Sequence, residues 1–278
     1  MQLTRRRWAH VMAAAAVTAP FSLAKEPPVL IDNPKGNFRF LKGSGPYSAG
    51  ATAHDNYEVV HVIFNPLPEL WDAFSIIERH LRASDRPLNA LCGMELRIPK
   101  ALSIKSFNKF NQPYIERLKE WGTHVDGLNP VARTNVALEV NPVAEPSVYG
   151  FSYTAPSDFK GKTFVIAGAG ELRSSKLAGS EIVSRGDVSL DGMRAKSKQV
   201  LSIMATRLEG MGLAWTDVTQ TNIYTVYDIH SLMEATIVPG LHEASRHGVR
   251  WYFARPPVIE IDYEMDMRGL RKELTLAG

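Results

Sequence analysis

The order of the predicted secondary-structure elements repeats along the chain, and this repeat limits the possible folds more than any other feature. In the first copy, two strand-like runs precede two amphipathic helices, each helix is followed by a strand, and one more strand closes the unit. The strands are predicted at 47–53, 57–64, 90–98, 129–136 and 147–154, and the helices at 68–83 and 107–121.

From about residue 162 the same order begins again, with strands predicted at 163–167, 218–227, 249–253 and 258–267, and helices at 190–212 and 230–247. A repeat of this length predicts two tandem modules of one fold. Each module is of the type β-β-α-β-α-β-β, an α/β (α+β) arrangement in which two helices cover one face of a sheet. The connector at 155–161 contains Pro, Ser, Asp and Gly, and it predicts a boundary between domains at 44–155 and 162–270. The stretch at 25–43, rich in Pro, Gly and Lys, predicts an extended lead-in.

Residues 1–24 have the three regions of a signal peptide in order. A basic region contains Arg5, Arg6 and Arg7, an apolar core follows at 11–19, and Ser22-Leu-Ala24 is a small-x-small cleavage site. The paired arginines before an aromatic residue resemble a twin-arginine (Tat) export signal. We therefore expect a periplasmic protein, the alternative being an uncleaved amphipathic N-terminus. No other stretch reaches the length of about 18 apolar residues that a membrane span requires.

Composition excludes several classes of protein. The 278 residues are 45% hydrophobic and 22% charged, as in a globular protein with room for two domains. The formal net charge of +3 falls further if the signal is removed, so charge gives no support to nucleic-acid binding. A single cysteine, Cys92, cannot form an intrachain disulfide. His242 and His247 are five residues apart, whereas two metal ligands on one helix face require four, and we expect no metal and no other cofactor.

Arg133 lies in an apolar, β-branched run at 129–136. A guanidinium stays charged at any working pH and offers a rigid fork of donors, so in a half-buried strand it needs a carboxylate or a phosphate. Two interpretations remain open: a structural ion pair with a protein carboxylate, or a site for an anionic ligand.

Five motifs in order resemble the RidA/YjgF family, small trimeric proteins of chorismate-mutase-like architecture that hydrolyse reactive enamines and imines. The resemblance covers nearly all of residues 44–268 as two tandem copies, and the motifs are Gly45-Pro-Tyr-Ser48, Phe110-Asn-Gln-Pro-Tyr114, Ala132-Arg-Thr-Asn-Val136, residues 217–228 and Ile259-Glu-Ile-Asp-Tyr-Glu264.

The resemblance implies a homotrimer and assigns roles to residues. Arg133 would hold a substrate carboxylate, with Tyr47, Asn111 and Asn135 of the same motifs beside it, and Arg250 would be the counterpart of Arg133 in the second copy. A glutamate would position the hydrolytic water, because a carboxylate can both orient water and relay a proton. The candidates are Glu260 and Glu264, which would face the same side of a predicted strand.

The copies also depart from the family pattern. The closing strand of the first copy, residues 148–153, has no acidic residue, and the second copy has Ala167-Gly-Ala169 where the family commonly has Ser-Gly-Gln. Either the copies share a composite pocket, with Arg133 and Tyr47 from one and a glutamate from the other, or the catalytic function has drifted. Three functions remain: a hydrolase of a small carboxylate-bearing enamine or imine, an enzyme similar to the chorismatases that acts on an enol-ether dicarboxylate, and a non-catalytic binder of small anions.

Overall fold

A computed structural model describes residues 28–43 and 46–278. The predicted signal peptide and Gly45, the first residue of the motif at 45–48, therefore lie outside the described residues. Within those ranges no helix combines the length and the apolar character needed to cross a membrane.

Thirteen strands and three long helices are described in these ranges. The strands are β1 (Leu30–Asn33), β2 (Phe38–Leu41), β3 (Gly50–Ala53), β4 (Tyr57–Phe64), β5 (Leu91–Ile98), β6 (Ala132–Leu138), β7 (Ser147–Pro156), β8 (Phe164–Gly170), β9 (Gln220–Tyr224), β10 (Arg250–Tyr252), β11 (Ala254–Arg255), β12 (Glu264–Gly269) and β13 (Lys272–Leu276). The helices are α1 (Leu70–Ala83), α2 (Ile104–Glu120) and α3 (Leu190–Gly210), followed by three short pieces at His230–Leu232, Met233–Ile237, which is π-helical, and Val238–Gly240.

The strands form two sheets, as expected for a mixed α/β protein. The seven-stranded sheet has the order β1-β2-β3-β8-β12-β9-β10, and the six-stranded sheet has the order β11-β6-β5-β7-β4-β13. Four strands in each sheet share one connectivity, because β6-β5-β7-β4 corresponds in chain order and pairing sense to β10-β9-β12-β8. In each set one neighbouring pair, β5 with β6 or β9 with β10, is parallel and the others are antiparallel.

The molecule has four layers. Alternate residues of β4, such as Val60 and Val62, pack against α1 and α2, and Met265 and Met267 of β12 pack against α3 on the opposite side of the molecule. The other faces of the two sheets meet in the middle, where Val59, Cys92 and Val165 belong to one buried cluster. Small side chains there let the backbones of the two sheets approach closely.

A buried polar network also joins the two sheets. Asp266 accepts hydrogen bonds from Thr134 Oγ1 at 2.7 Å and from Asn222 Nδ2 at 2.7 Å. Arg268 pairs with Glu95 at 2.7 Å, and Glu95 is 2.7 Å from His61 Nε2. Because unpaired polar groups are costly in a protein interior, this network fixes the register of one sheet on the other.

Strands of each half are exchanged between the sheets, which corrects the predicted domain organisation. The predicted strand at 47–53 pairs as β3 with β2 and β8, so it lies in the sheet of the second half. In return, β11 and β13 from the end of the chain pair with β6 and β4 of the first half. The connector at 155–161 divides the chain, but it does not divide the sheets.

Two local predictions are also wrong. The lead-in at 25–43 contains a β-hairpin of β1 and β2. In β2, Phe38 and Phe40 alternate with Arg39 and are fully buried, and Asn37 adopts a positive φ of 59° in the turn before it. The strand predicted at 258–267 begins only at Glu264, since Pro256 and Pro257 are followed by a turn at residues 259 and 260.

Candidate active site

Arg133 is a buried cation on β6, 2% exposed, and α2 holds it in place. Its Nη2 donates to Asn111 Oδ1 at 2.6 Å, and the guanidinium lies over the rings of Tyr47 at 4.8 Å and Tyr114 at 4.7 Å. Among the described residues, its Nε and Nη1 have no hydrogen-bond partner, and no carboxylate pairs with it. The donors left over are those that an anion would need, and this arrangement favours a ligand site over a structural ion pair.

Further buried polar atoms around Arg133 are also without partners in the described part of the chain. They are Nδ2 of Asn111, the hydroxyl of Tyr114, and both amide atoms of Asn135. Asn135 follows Arg133 by two residues on β6, so their side chains share one side of the strand. Asn111 and Tyr114 are three apart on α2, which begins at the N-cap Ser103 and turns both toward the sheet.

Glu264 opens β12 in the other sheet, and it is 5% exposed. Its carboxyl group lies against Gly168 of β8, where any side chain would collide with it. Burial, together with the nearby negative charges of Asp266 and Glu171, raises the pKa of Glu264 to about 8, and the positive charges of Arg207 and Arg133 oppose this rise. A carboxyl group with such a pKa carries its proton at neutral pH.

Arg207 is a second arginine in this cleft, and the sequence reasoning missed it. It reaches from α3, and its Nη1 donates to the carbonyl oxygen of Ala167 on β8 at 2.6 Å. Burial lowers the pKa of Arg207 to about 10, and the charges of Tyr47 and Glu264 counteract this effect. No sequence signal sets it apart, because α3 carries three further cations, Arg194, Lys196 and Lys198.

Glu171 fixes the segment that leads into Glu264. Its carboxylate accepts hydrogen bonds from the backbone amides of Asp262 at 2.8 Å and Tyr263 at 3.1 Å. Lys196, which is fully buried on α3, pairs with Glu171 at 3.3 Å and with Asp262 at 2.8 Å. The two carboxylates share the single charge of Lys196, and the backbone contacts of Glu171 set the start of β12.

Two predicted site residues lie elsewhere. Glu260 is in the turn before β12, with a side chain that is 35% exposed and paired with Arg185, so the expectation that it shares a strand face with Glu264 is wrong. Arg250 lies on the edge strand β10, 51% exposed, and its guanidinium is 3.9 Å from Glu273. Arg250 therefore does not join Arg133, whereas Asn111 and Tyr47 contact it and the charge of Glu264 acts on its pKa.

The fold and these side chains together define an α/β protein of two facing sheets, with donors on a buried arginine that are unpartnered within the described residues, near a carboxyl group of raised pKa. Residues 30–274 match the family of the 2-aminomuconate deaminase CnbZ, and the chain belongs to this family. It is 37% identical to the 2-amino-5-chloromuconate deaminase of Comamonas testosteroni over 244 residues. The aligned region covers 87% of this chain and 96% of that protein. The crystal structure of a chorismatase superposes with a TM-score of 0.49 at 12% identity, covering 87% of this chain and 80% of the chorismatase chain.

Proposed function

We propose that the protein is a hydrolytic deaminase of a small enamine that carries a carboxylate, of the 2-aminomuconate type. The observation that carries this proposal is that Arg133, which keeps two free donors among the described residues, lies near enough to the protonated carboxyl group of Glu264 for its charge to lower the pKa of that group. The names of the family and of its relative supply the substrate class.

In the proposed reaction Arg133 binds the carboxylate next to the amine-bearing carbon, and Asn111 keeps the guanidinium in position. Glu264 donates its proton to the β-carbon of the enamine, which becomes an iminium ion. The carboxylate of Glu264 then takes a proton from a water molecule as the water oxygen attacks the iminium carbon. The resulting carbinolamine transfers its hydroxyl proton to nitrogen and releases ammonia, leaving a ketone. The balance is one enamine and one water giving one ketone and one ammonia.

The test is ammonia release from 2-aminomuconate by the purified chain, followed for wild type, Glu264→Gln and Glu260→Gln. Loss of the proton donor should lower kcat by about 100-fold or more, since general acid-base catalysis contributes about 100- to 10,000-fold. Glu260→Gln is the matched control and should retain activity, because its carboxylate is on the surface. Wild-type rates in Glu264→Gln would refute the assigned chemistry. Turnover of chorismate, or tight ligand binding without turnover, would favour the other two functions.

Three finer expectations belong to the same proposal. The two sets of four strands are tandem modules of RidA type, and their shared connectivity supports this origin. The protein assembles as a homotrimer. It is exported to the periplasm by the twin-arginine signal in residues 1–24.

A further inference from the structure

Two arginines face the one carboxyl group of Glu264. Arg207 of α3 bonds the carbonyl oxygen of Ala167, next to Gly168, against which the carboxyl group of Glu264 lies. Arg133 lies on β6 of the other sheet, and the charges of both arginines lower the pKa of Glu264. Neither guanidinium forms an ion pair with a carboxylate in the part of the chain that the structure describes. Tyr47 lies beside both of them.

The other carboxylates around Glu264 already have partners of their own. Glu171 is bound by Lys196 and by two backbone amides. Asp266 is bound by Thr134 and Asn222 and pairs with Arg268. Because Glu264 is neutral at neutral pH, neither Arg133 nor Arg207 has a charged carboxylate as a partner in the described residues. Shielding a cation from water is costly unless a counter-charge meets it, and a ligand with two carboxylates would supply one to each arginine.

Resting on the proposed function, we propose that Arg207 is a specificity-determining residue that binds a second carboxylate of the substrate, at the far side of Glu264 from Arg133. The hydrogen bond from Arg207 Nη1 to Ala167 orients the guanidinium and leaves its other donors for the ligand. The reacting carbon of a dicarboxylate held at both ends lies next to Glu264. A substrate with a single carboxylate leaves the half-buried Arg207 without a counter-charge, and it is therefore disfavoured.

Two stable ligands test this role without any chemistry. trans,trans-Muconate and sorbate are six-carbon dienes of the same shape, and they differ in that a methyl group of sorbate replaces one carboxylate. Their dissociation constants are measured by calorimetry for wild type, Arg207→Gln and Lys198→Gln. Lys198 is an exposed cation of α3 and controls for loss of charge from the same helix.

Wild type should bind muconate at least about tenfold more tightly than sorbate, as expected for a charge-assisted pair. Arg207→Gln should remove this preference by weakening muconate alone, and Lys198→Gln should preserve it. Arg207→Lys keeps the charge without the planar fork and should retain only part of the preference.

A wild type without the preference, or an Arg207→Gln variant that keeps it, would show that Arg207 only ties α3 to β8. If Arg207→Gln fails to fold, an unchanged preference in Arg207→Lys overturns the assignment. Muconate and sorbate have no amine to release, so their binding tests the role of Arg207 independently of the deaminase reaction. Preference for muconate without ammonia release refutes the deaminase alone, and deamination without the preference refutes the role of Arg207 alone.

Discussion

Arg133 is a buried cation that, within the described residues, is held by an amide and by aromatic rings instead of a carboxylate. This environment fixes the direction of the guanidinium while leaving most of its charge for a ligand. The sequence allowed Arg133 to be found because a cation in an apolar strand is conspicuous. Arg207 could not be found in the same way, since a cation on an amphipathic helix normally lies in solvent.

We expect Arg133→Ala to lose about 2–5 kcal/mol of ligand binding, because a bidentate charge-assisted pair is removed. Arg133→Lys should recover only part of this loss. Thermal stability should change little, since no protein carboxylate is left unpaired. Calorimetry with muconate measures the binding of both variants, and thermal melts measure their stability. A variant that melts far below wild type yet binds normally would show that Arg133 serves the fold alone.

The raised pKa of Glu264 predicts a pH-dependent stability. In the unfolded chain this carboxyl group ionises near its ordinary pKa of 4.5, whereas in the folded protein it keeps its proton up to about pH 8. The unfolded state therefore gains stability relative to the folded state as pH rises from about 4.5 to about 8. Glu264→Gln lacks this effect, so its melting temperature should exceed that of wild type by a margin that grows across this window. Curves that run parallel from pH 4 to 9 would contradict the raised pKa.

At the scale of elements, the short strand β12 is placed by residues outside it. The sequence predicted an acidic strand here but placed its start six residues too early. The turn after Pro256 and Pro257 delays the strand, and the clamp of Glu171 on the amides of Asp262 and Tyr263 is a contact between residues far apart in sequence. The same limit applies to β3, whose alternation predicted a strand correctly while its partner, β8, lies more than 100 residues away. Strand pairing over such distances depends on packing that local patterns do not contain.

Glu171→Gln should lower both the activity and the pH at which activity is lost. The carboxylate of Glu171 raises the pKa of Glu264 together with burial and Asp266, while Arg207 and Arg133 oppose it. Removing the Glu171 charge should therefore shift the alkaline limb of the kcat profile to lower pH. Lys196→Met, which leaves two buried carboxylates unpaired, should instead destabilise the fold by about 3–5 kcal/mol. An alkaline limb that does not move in Glu171→Gln would limit Glu171 to a structural role.

At the scale of the whole molecule, the sheets cover each other's inner faces within one chain. A trimer would therefore have the sheet edges left to cover, and the edge strand β13 is exposed along most of its length. We propose a homotrimer, and light scattering at micromolar concentration should give three times the chain mass. A monomer under these conditions would show that packing of the two halves replaces the threefold assembly.

Export is the second prediction at this scale. A fusion of residues 1–30 to a reporter should reach the periplasm, and replacement of Arg5, Arg6 and Arg7 by lysine should prevent this, because the twin-arginine route reads the arginines themselves. Export that survives the replacement would indicate the general secretory route, and retention of the unmodified fusion in the cytoplasm would exclude a signal peptide.

The pairing of β13 with β4 determines when the first sheet can be completed during synthesis. A ribosome delivers about 5–20 residues per second, so β4 emerges well before Lys272–Leu276 exists. Until then β4 has an open edge, and His61 lacks the contact with Glu273 that lies 212 residues further along. The first half is consequently not a unit that folds to completion while the second is being translated. Its final closure waits for β13, so a polypeptide truncated before Lys272–Leu276 is left with an unfinished sheet.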